Sequence, residues 1–109
     1  MFCKIANKEI NSRIVYEDGE ICAFLDLNPQ SPAHILIIPK KHIACLSDCG
    51  EDDIEILGRI QIAAKDLAEK FDIKDGFRLV LNNGRSAGQT VNHIHYHLLG
   101  GRRMNWPPG

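Results

Sequence analysis

Three histidines occupy alternate positions in Gly88-Gln-Thr-Val-Asn-His-Ile-His-Tyr-His-Leu-Leu-Gly100: His93, His95 and His97. A strand repeats its side-chain direction every two residues. The spacing therefore predicts three imidazoles on one face of a single strand, with Ile94, Tyr96 and Leu98 on the other. Val91, Ile94 and Tyr96 favour a strand over a helix, in which the three rings would diverge. Imidazole titrates near pH 6.5 and makes neither good core nor good solvent cover. A row of three calls for a chemical use.

Two chemistries suit such a row. A His-x-His pair can chelate zinc, with His34 or His42 as a further ligand. Against this, the third ring lies about 13 Å from the first by strand rise, and the strand carries no carboxylate. The other chemistry is nucleophilic catalysis at phosphorus, in which a neutral imidazole forms a transient phosphohistidine that water then hydrolyses. That needs a group to set the nucleophile's tautomer, donors for the phosphate oxygens and a proton for the leaving group. His93 and His97 flank His95. The loop Gly88-Gln-Thr90 offers main-chain amides and a hydroxyl in the manner of an anion nest, and Asn82 adds a carboxamide from a neighbouring strand. His34 begins a strand and is placed to orient the triad from behind. His42, in Lys40-Lys-His, sits either at a pocket rim or simply on the approach to a helix. Histidines without chemistry remain a third reading of the spacing alone.

The elements that must position these groups can be read in order. Residues 2–10 form a short amphipathic segment with Phe2, Ile5 and Ala6 apolar, which predicts a helical turn. Residues 13–18 and 20–26 read as two strands joined by an Asp18-Gly19 hairpin, with glycine accepting a positive φ. Asn28-Pro-Gln-Ser-Pro32 is a rigid loop. Residues 34–39 are apolar enough to be covered on both faces, and Pro39 ends that strand. One long helix spans about 51–70, its stripe running through Ile54, Leu57, Ile60, Ala64, Leu67 and Phe71. Glu55–Arg59 and Asp66–Lys70 pair on its outer side. Residues 77–82 alternate as a fourth strand, with Phe77, Leu79 and Leu81 on one face. The histidine strand is the fifth. The expectation is a single α+β domain over residues 1–109, with a five-stranded, mostly antiparallel sheet, one long helix and a short N-terminal helix.

Composition narrows the function classes. The chain has 109 residues, a net charge of −1 and 44% hydrophobic residues. This balance argues against coating a polymeric nucleic acid and leaves a small anionic ligand open. No apolar run approaches twenty residues, which predicts no membrane span. The first ten residues lack the pattern of a secretory signal. Cys3, Cys22, Cys45 and Cys49 are therefore expected to be reduced thiols in a cytoplasm.

The motif His93-Ile-His-Tyr-His-Leu98 resembles the signature of the histidine triad superfamily, three histidines each followed by an apolar residue. Asp26-Leu-Asn-Pro-Gln-Ser-Pro-Ala-His34, Ile38-Pro-Lys-Lys-His-Ile43, Asn82-Asn-Gly, Gly88-Gln-Thr and the terminal Trp106-Pro-Pro-Gly109 are similar to the branch of histidine triad nucleotide-binding proteins that act as purine nucleoside phosphoramidases. The likeness covers essentially the whole chain. It implies a homodimer with long helices and a sheet edge at the interface, and a pocket for purine nucleoside monophosphates and phosphoramidates. By resemblance, His95 is the nucleophile, and His93 lies in the supporting network with His34 behind it. His97 contacts the phosphate and is a candidate for handling the leaving-group proton. Asn82, Gln89 and Thr90 surround the phosphate or the scissile nitrogen, and Asp26 accepts the ribose hydroxyls. Leu27, Ile5 and Phe24 wall the base, and Trp106 reaches toward the partner's site. Some relatives bind structural zinc through two N-terminal cysteines and histidines equivalent to His42 and His93. This chain has Cys3 alone at that end, so no metal and no cofactor is expected. Asn92 and Arg85 depart from the pattern, and Arg85 adds positive charge near the site. Two alternatives stand beside the phosphoramidase. One is a dinucleoside polyphosphate hydrolase or nucleotidyltransferase using the same histidine, and the other is a nucleotide-binding scaffold dimer.

Overall fold

The structure, a computed structural model, describes residues 13–109. Five strands form one sheet: β1 (Ile14–Glu17), β2 (Ile21–Leu25), β3 (Ala33–Pro39), β4 (Phe77–Leu81) and β5 (Tyr96–Gly100). Their spatial order is β1-β2-β3-β5-β4, and every neighbouring pair is antiparallel. The helix α1 (Ile54–Lys70) follows a 3-10 turn over Glu51–Asp53, so the acidic start read from the sequence is a tighter coil than α. The expected N-terminal helix, with Cys3 and Ile5, lies outside the described residues.

Alternation in the strands produces two faces with different tasks. Ile21, Ala23, Ile35, Ile37, Tyr96 and Leu98 point toward α1 and pack on Ile56, Ile60, Ala64, Leu67 and Ala68. At about 25 cal/mol per Å² of apolar area removed from water, this layer is the main source of cohesion. Leu36, paired with Phe24 on β2 and His97 on β5, points the other way. It gathers with Cys22, Phe24 and Ile38 into a smaller cluster flanked by Ile14 and Val91. That second face carries His34 and His97. β3 is central and buried almost throughout, as its composition requires.

Four local expectations change. The hairpin turn at Asp18-Gly19 does not use a positive φ, which is confined among the glycines to Gly84, Gly88 and Gly101. Instead the Asp18 carboxylate accepts the amides of Glu20 and Ile21, at 2.8 and 2.9 Å. The buried stripe of α1 begins at Ile56, and Ile54 and Ile62 are left exposed. Arg59 reaches across to Asp18 and Glu20, and Lys70 donates to the Val15 carbonyl, so both cations tie the helix to the hairpin.

The largest change concerns the histidines, because β5 begins at Tyr96 and only His97 lies in the ladder. The preceding segment leaves the sheet to pair with the loop after β3, where the Ile94 amide donates to the Ile43 carbonyl. The three rings therefore do not form a single row.

Candidate active site

Ring nitrogens of the histidines near the site meet main-chain groups or one another. His93 is buried and lies 2.8 Å through Nε2 from the Pro39 carbonyl. A carbonyl can only accept, so Nε2 bears the proton. His95 Nδ1 lies 2.8 Å from the His93 carbonyl, which places its proton on Nδ1 by the same logic. Nε2 of His95 is then the basic, nucleophilic nitrogen. His34 receives the amide of Gln30 at Nδ1, 3.0 Å, and its Nε2 lies 2.9 Å from His97 Nδ1.

These contacts gather His34, His95 and His97 on one face. The ring centroids of His34 and His97 are 5.2 Å apart, and those of His95 and His97 are 5.0 Å apart. His93 stacks edge-on against His42 at 5.2 Å. His34 thus abuts His97, whereas the family resemblance implies a place behind His93. Asp26 joins the group with Oδ2 3.4 Å from His34 Nε2, while its Oδ1 caps the loop by accepting the Asn28 amide. Burial lowers the proton affinity of His34, and Asp26 opposes it. Burial also takes His97 down to about 4, helped by His95 and His34 and opposed by Asp26. For His93, burial again lowers the value against the pull of the Pro39 carbonyl.

Asp26, His34 and His97 would be close enough to share a cation. The donor set does not suit one. With Nδ1 of His34 accepting an amide proton, Nε2 carries the ring's own proton and has no lone pair to offer. The cluster is a hydrogen-bond chain.

The remaining expected residues fall into distinct places. Phe24 lies buried against Leu36, and Leu27 is 91% exposed beside a cleft of about 390 Å³ that Arg13, Asp26 and His34 also line. A larger cleft, about 720 Å³, opens between the hairpin and α1, but none of the histidines lines it. Asn82 faces Gly88, whose φ of 98° needs glycine. Thr90, Asn92 and Arg85 are exposed. Trp106 is 82% exposed on a tail that Arg78 fastens to β4 through the Asn105 carbonyl. Gln89 is buried and committed to main chain. Its Oε1 accepts the Gly84 amide, and its Nε2 donates to the Ala44 and Val91 carbonyls. Both of its amide hydrogens are taken, so in this structure Gln89 braces the glycine loop and does not present a donor to a phosphate.

The HIT domain family matches residues 7–104. The chain belongs to that family. It is 53% identical over 111 aligned residues to a "14 kDa zinc-binding protein" of Zea mays, a match covering 100% of this chain and 87% of that protein. It is 50% identical to "Adenylylsulfatase HINT1" of Arabidopsis thaliana, over 100% of this chain and 76% of that protein. The crystal structure of a HIT family hydrolase from Legionella pneumophila superposes with a TM-score of 0.98 at 55% identity, covering 100% of this chain and 98% of that one. This chain is a HIT-fold hydrolase with the α+β architecture of the family.

In this HIT-fold site several groups have no signature in sequence. The Gln30 amide, the Pro39, Ala44 and His93 carbonyls, and Asn83, which brackets Ser47 through both ends of its carboxamide, emerge only from the folded chain. The two prolines around Gln30 were the one available hint, since they mark a loop stiff enough to aim an amide. Replacing Gln89 by Ala should remove three bonds and cost about 1–3 kcal/mol. Hydrogen exchange should show faster exchange at the Gly84 amide, and unchanged exchange there would contradict the bracing role.

Proposed function

We propose that this protein hydrolyses purine nucleoside 5′-phosphoramidates through a nucleotidyl-His95 intermediate. The observation that carries the reading is the His95 Nδ1 contact with the His93 carbonyl, which leaves Nε2 unprotonated beside His97. In the first half-reaction the scissile nitrogen takes a proton from solvent, Nε2 bonds to phosphorus, the P–N bond breaks, and the neutral amine departs with the P–N electron pair. In the second, water attacks the phosphorus, the bond to His95 breaks, and nucleoside monophosphate leaves. In this reading Asp26 accepts the ribose hydroxyls, Leu27 and Phe24 wall the base, and Asn82 and the Gly88–Thr90 backbone hold the phosphate. Membership of the HIT fold supports a nucleotide as substrate. The relative named an adenylylsulfatase favours a second reading, in which the same attack expels sulfate from an adenylyl anhydride.

Assayed on adenosine 5′-phosphoramidate, His95→Gly should lower kcat about a thousandfold or more with the fold retained. A near-native rate in that variant would remove His95 from the mechanism. Comparing adenosine 5′-phosphoramidate with adenosine 5′-phosphosulfate on the native enzyme ranks the two readings.

His42 and His93 pack edge-on against each other and form half of a possible ligand set. A closed structural zinc site takes four ligands, and Cys3 is the single cysteine among the first 21 residues. The donor set is therefore incomplete, and we propose that the protein holds no structural zinc. Elemental analysis should find well under one equivalent. One tightly held equivalent after dialysis against a chelator would overturn this.

A homodimer is the proposed assembly. Ile54 and Ile62 are 67% and 59% exposed on α1, with Gly58 one turn from each and open space beyond its Cα. β4 is a sheet edge with Phe77 38% exposed. Together they offer an apolar stripe and a strand to a second copy. Sedimentation should report a dimer for the native chain and a shift toward monomer for Ile62→Asp. A monomeric native protein at micromolar concentration would count against the assembly.

A further inference from the structure

An amide N–H can only donate. The Gln30 amide therefore fixes a lone pair on His34 Nδ1, and the proton of neutral His34 must sit on Nε2. That proton lies between His97 Nδ1 at 2.9 Å and Asp26 Oδ2 at 3.4 Å. His97 Nδ1 is then an acceptor, and the single proton of neutral His97 belongs on Nε2, on the side of the ring away from His34. A second proton could enter His97 only at Nδ1, directly against the N–H of His34.

We propose that His34 is a positioning residue that holds His97 as a neutral Nε2–H imidazole. His97 then donates a hydrogen bond to the bound phosphoryl group and does not act as an imidazolium acid. The role rests on the nucleotide reading given above, but the protonation state does not. Burial works in the same direction for both rings. The ionisable groups facing the pair are Asp26 from the loop after β2, His95 from the segment before β5, and Arg13, which lines the same cleft as Asp26 and His34. Leu36 and Val80, opposite His97 on β3 and β4, are uncharged.

A neutral His97 narrows the leaving groups. In P–N cleavage the departing nitrogen must carry a proton acquired from solvent before attack. His95 Nε2 then forms the bond to phosphorus, the P–N electron pair goes to nitrogen, and a neutral amine leaves. A sulfate leaving group needs no proton. Both leaving groups are compatible with an uncharged donor at position 97.

Nitrogen-15 spectra of histidine-labelled full-length protein test the assignment directly. The native protein should show His97 protonated on Nε2 alone and still neutral at pH 5. His34→Phe removes the opposing N–H, and His97 should then titrate about one pH unit or more higher. In the same variant kcat/KM on adenosine 5′-phosphoramidate at pH 6 should fall about tenfold. His34→Gln places an amide N–H where Nε2–H stood and should return both readings toward native. The proposal is overturned if native His97 titrates near the ordinary value of about 6.5 or carries its proton on Nδ1. It is equally overturned if His34→Phe leaves the His97 titration in place. Spectra as expected from an enzyme that turns over no nucleoside phosphoramidate would support the lock and reject the substrate reading.

Discussion

Main-chain groups decide which nitrogen of each ring carries hydrogen. One amide, Gln30, and two carbonyls, those of Pro39 and His93, contact His34, His93 and His95 respectively. Peptide groups do not titrate, and each has a fixed polarity, so they impose a tautomer that side-chain partners of variable charge could not. The unprotonated Nε2 of His95 follows from this. So does the acceptor face of His97, one ring further along the chain of contacts.

The fold makes those peptide groups available by interrupting its own ladders. Pro39 is the last residue of β3, and its carbonyl receives a side chain from outside the sheet. The segment before β5 departs from the sheet as far as Tyr96, so the His93 carbonyl is free to meet the ring of His95. The loop between β2 and β3 turns back over His34 with its amide aimed inward. Behind these breaks, the layer of β3, β5 and α1 keeps the strands fixed, because the apolar face of each is closed by the other. Rigidity comes from one side of the sheet, and the candidate site occupies its opposite side.

Much of this was legible in the sequence where side-chain pattern and structure share a cause. The strands around Ile21–Leu25, Ala33–Pro39 and Phe77–Leu81 follow from their alternation or their uninterrupted apolar character. The helix followed from its stripe, although Ile56 and not Ile54 faces the sheet. The histidine spacing predicts a geometry that the folded chain only partly adopts. A period of two predicts a strand, yet His93 and His95 lie outside β5, and turned main chain, together with the ring of His97, sets their arrangement. Gln89 shows the same limit. The resemblance sets its side chain near the phosphate or scissile nitrogen, but the carbonyls of Ala44 and Val91 lie within reach only after folding. Peptide groups are common to every residue, so sequence pattern carries little of their use.

The Asp26 carboxylate has one oxygen on the Asn28 amide and the other toward His34, and the segment between ends in the amide that fixes His34. The proposed ribose contact and the protonation of the His34 ring are thus mounted on one short hinge of chain. Loop changes selected for a different nucleoside would disturb proton placement as well. Diversification at this end of the pocket is therefore constrained to exchanges that keep the curvature of residues 26–34, whatever they do to the surface that meets the ligand.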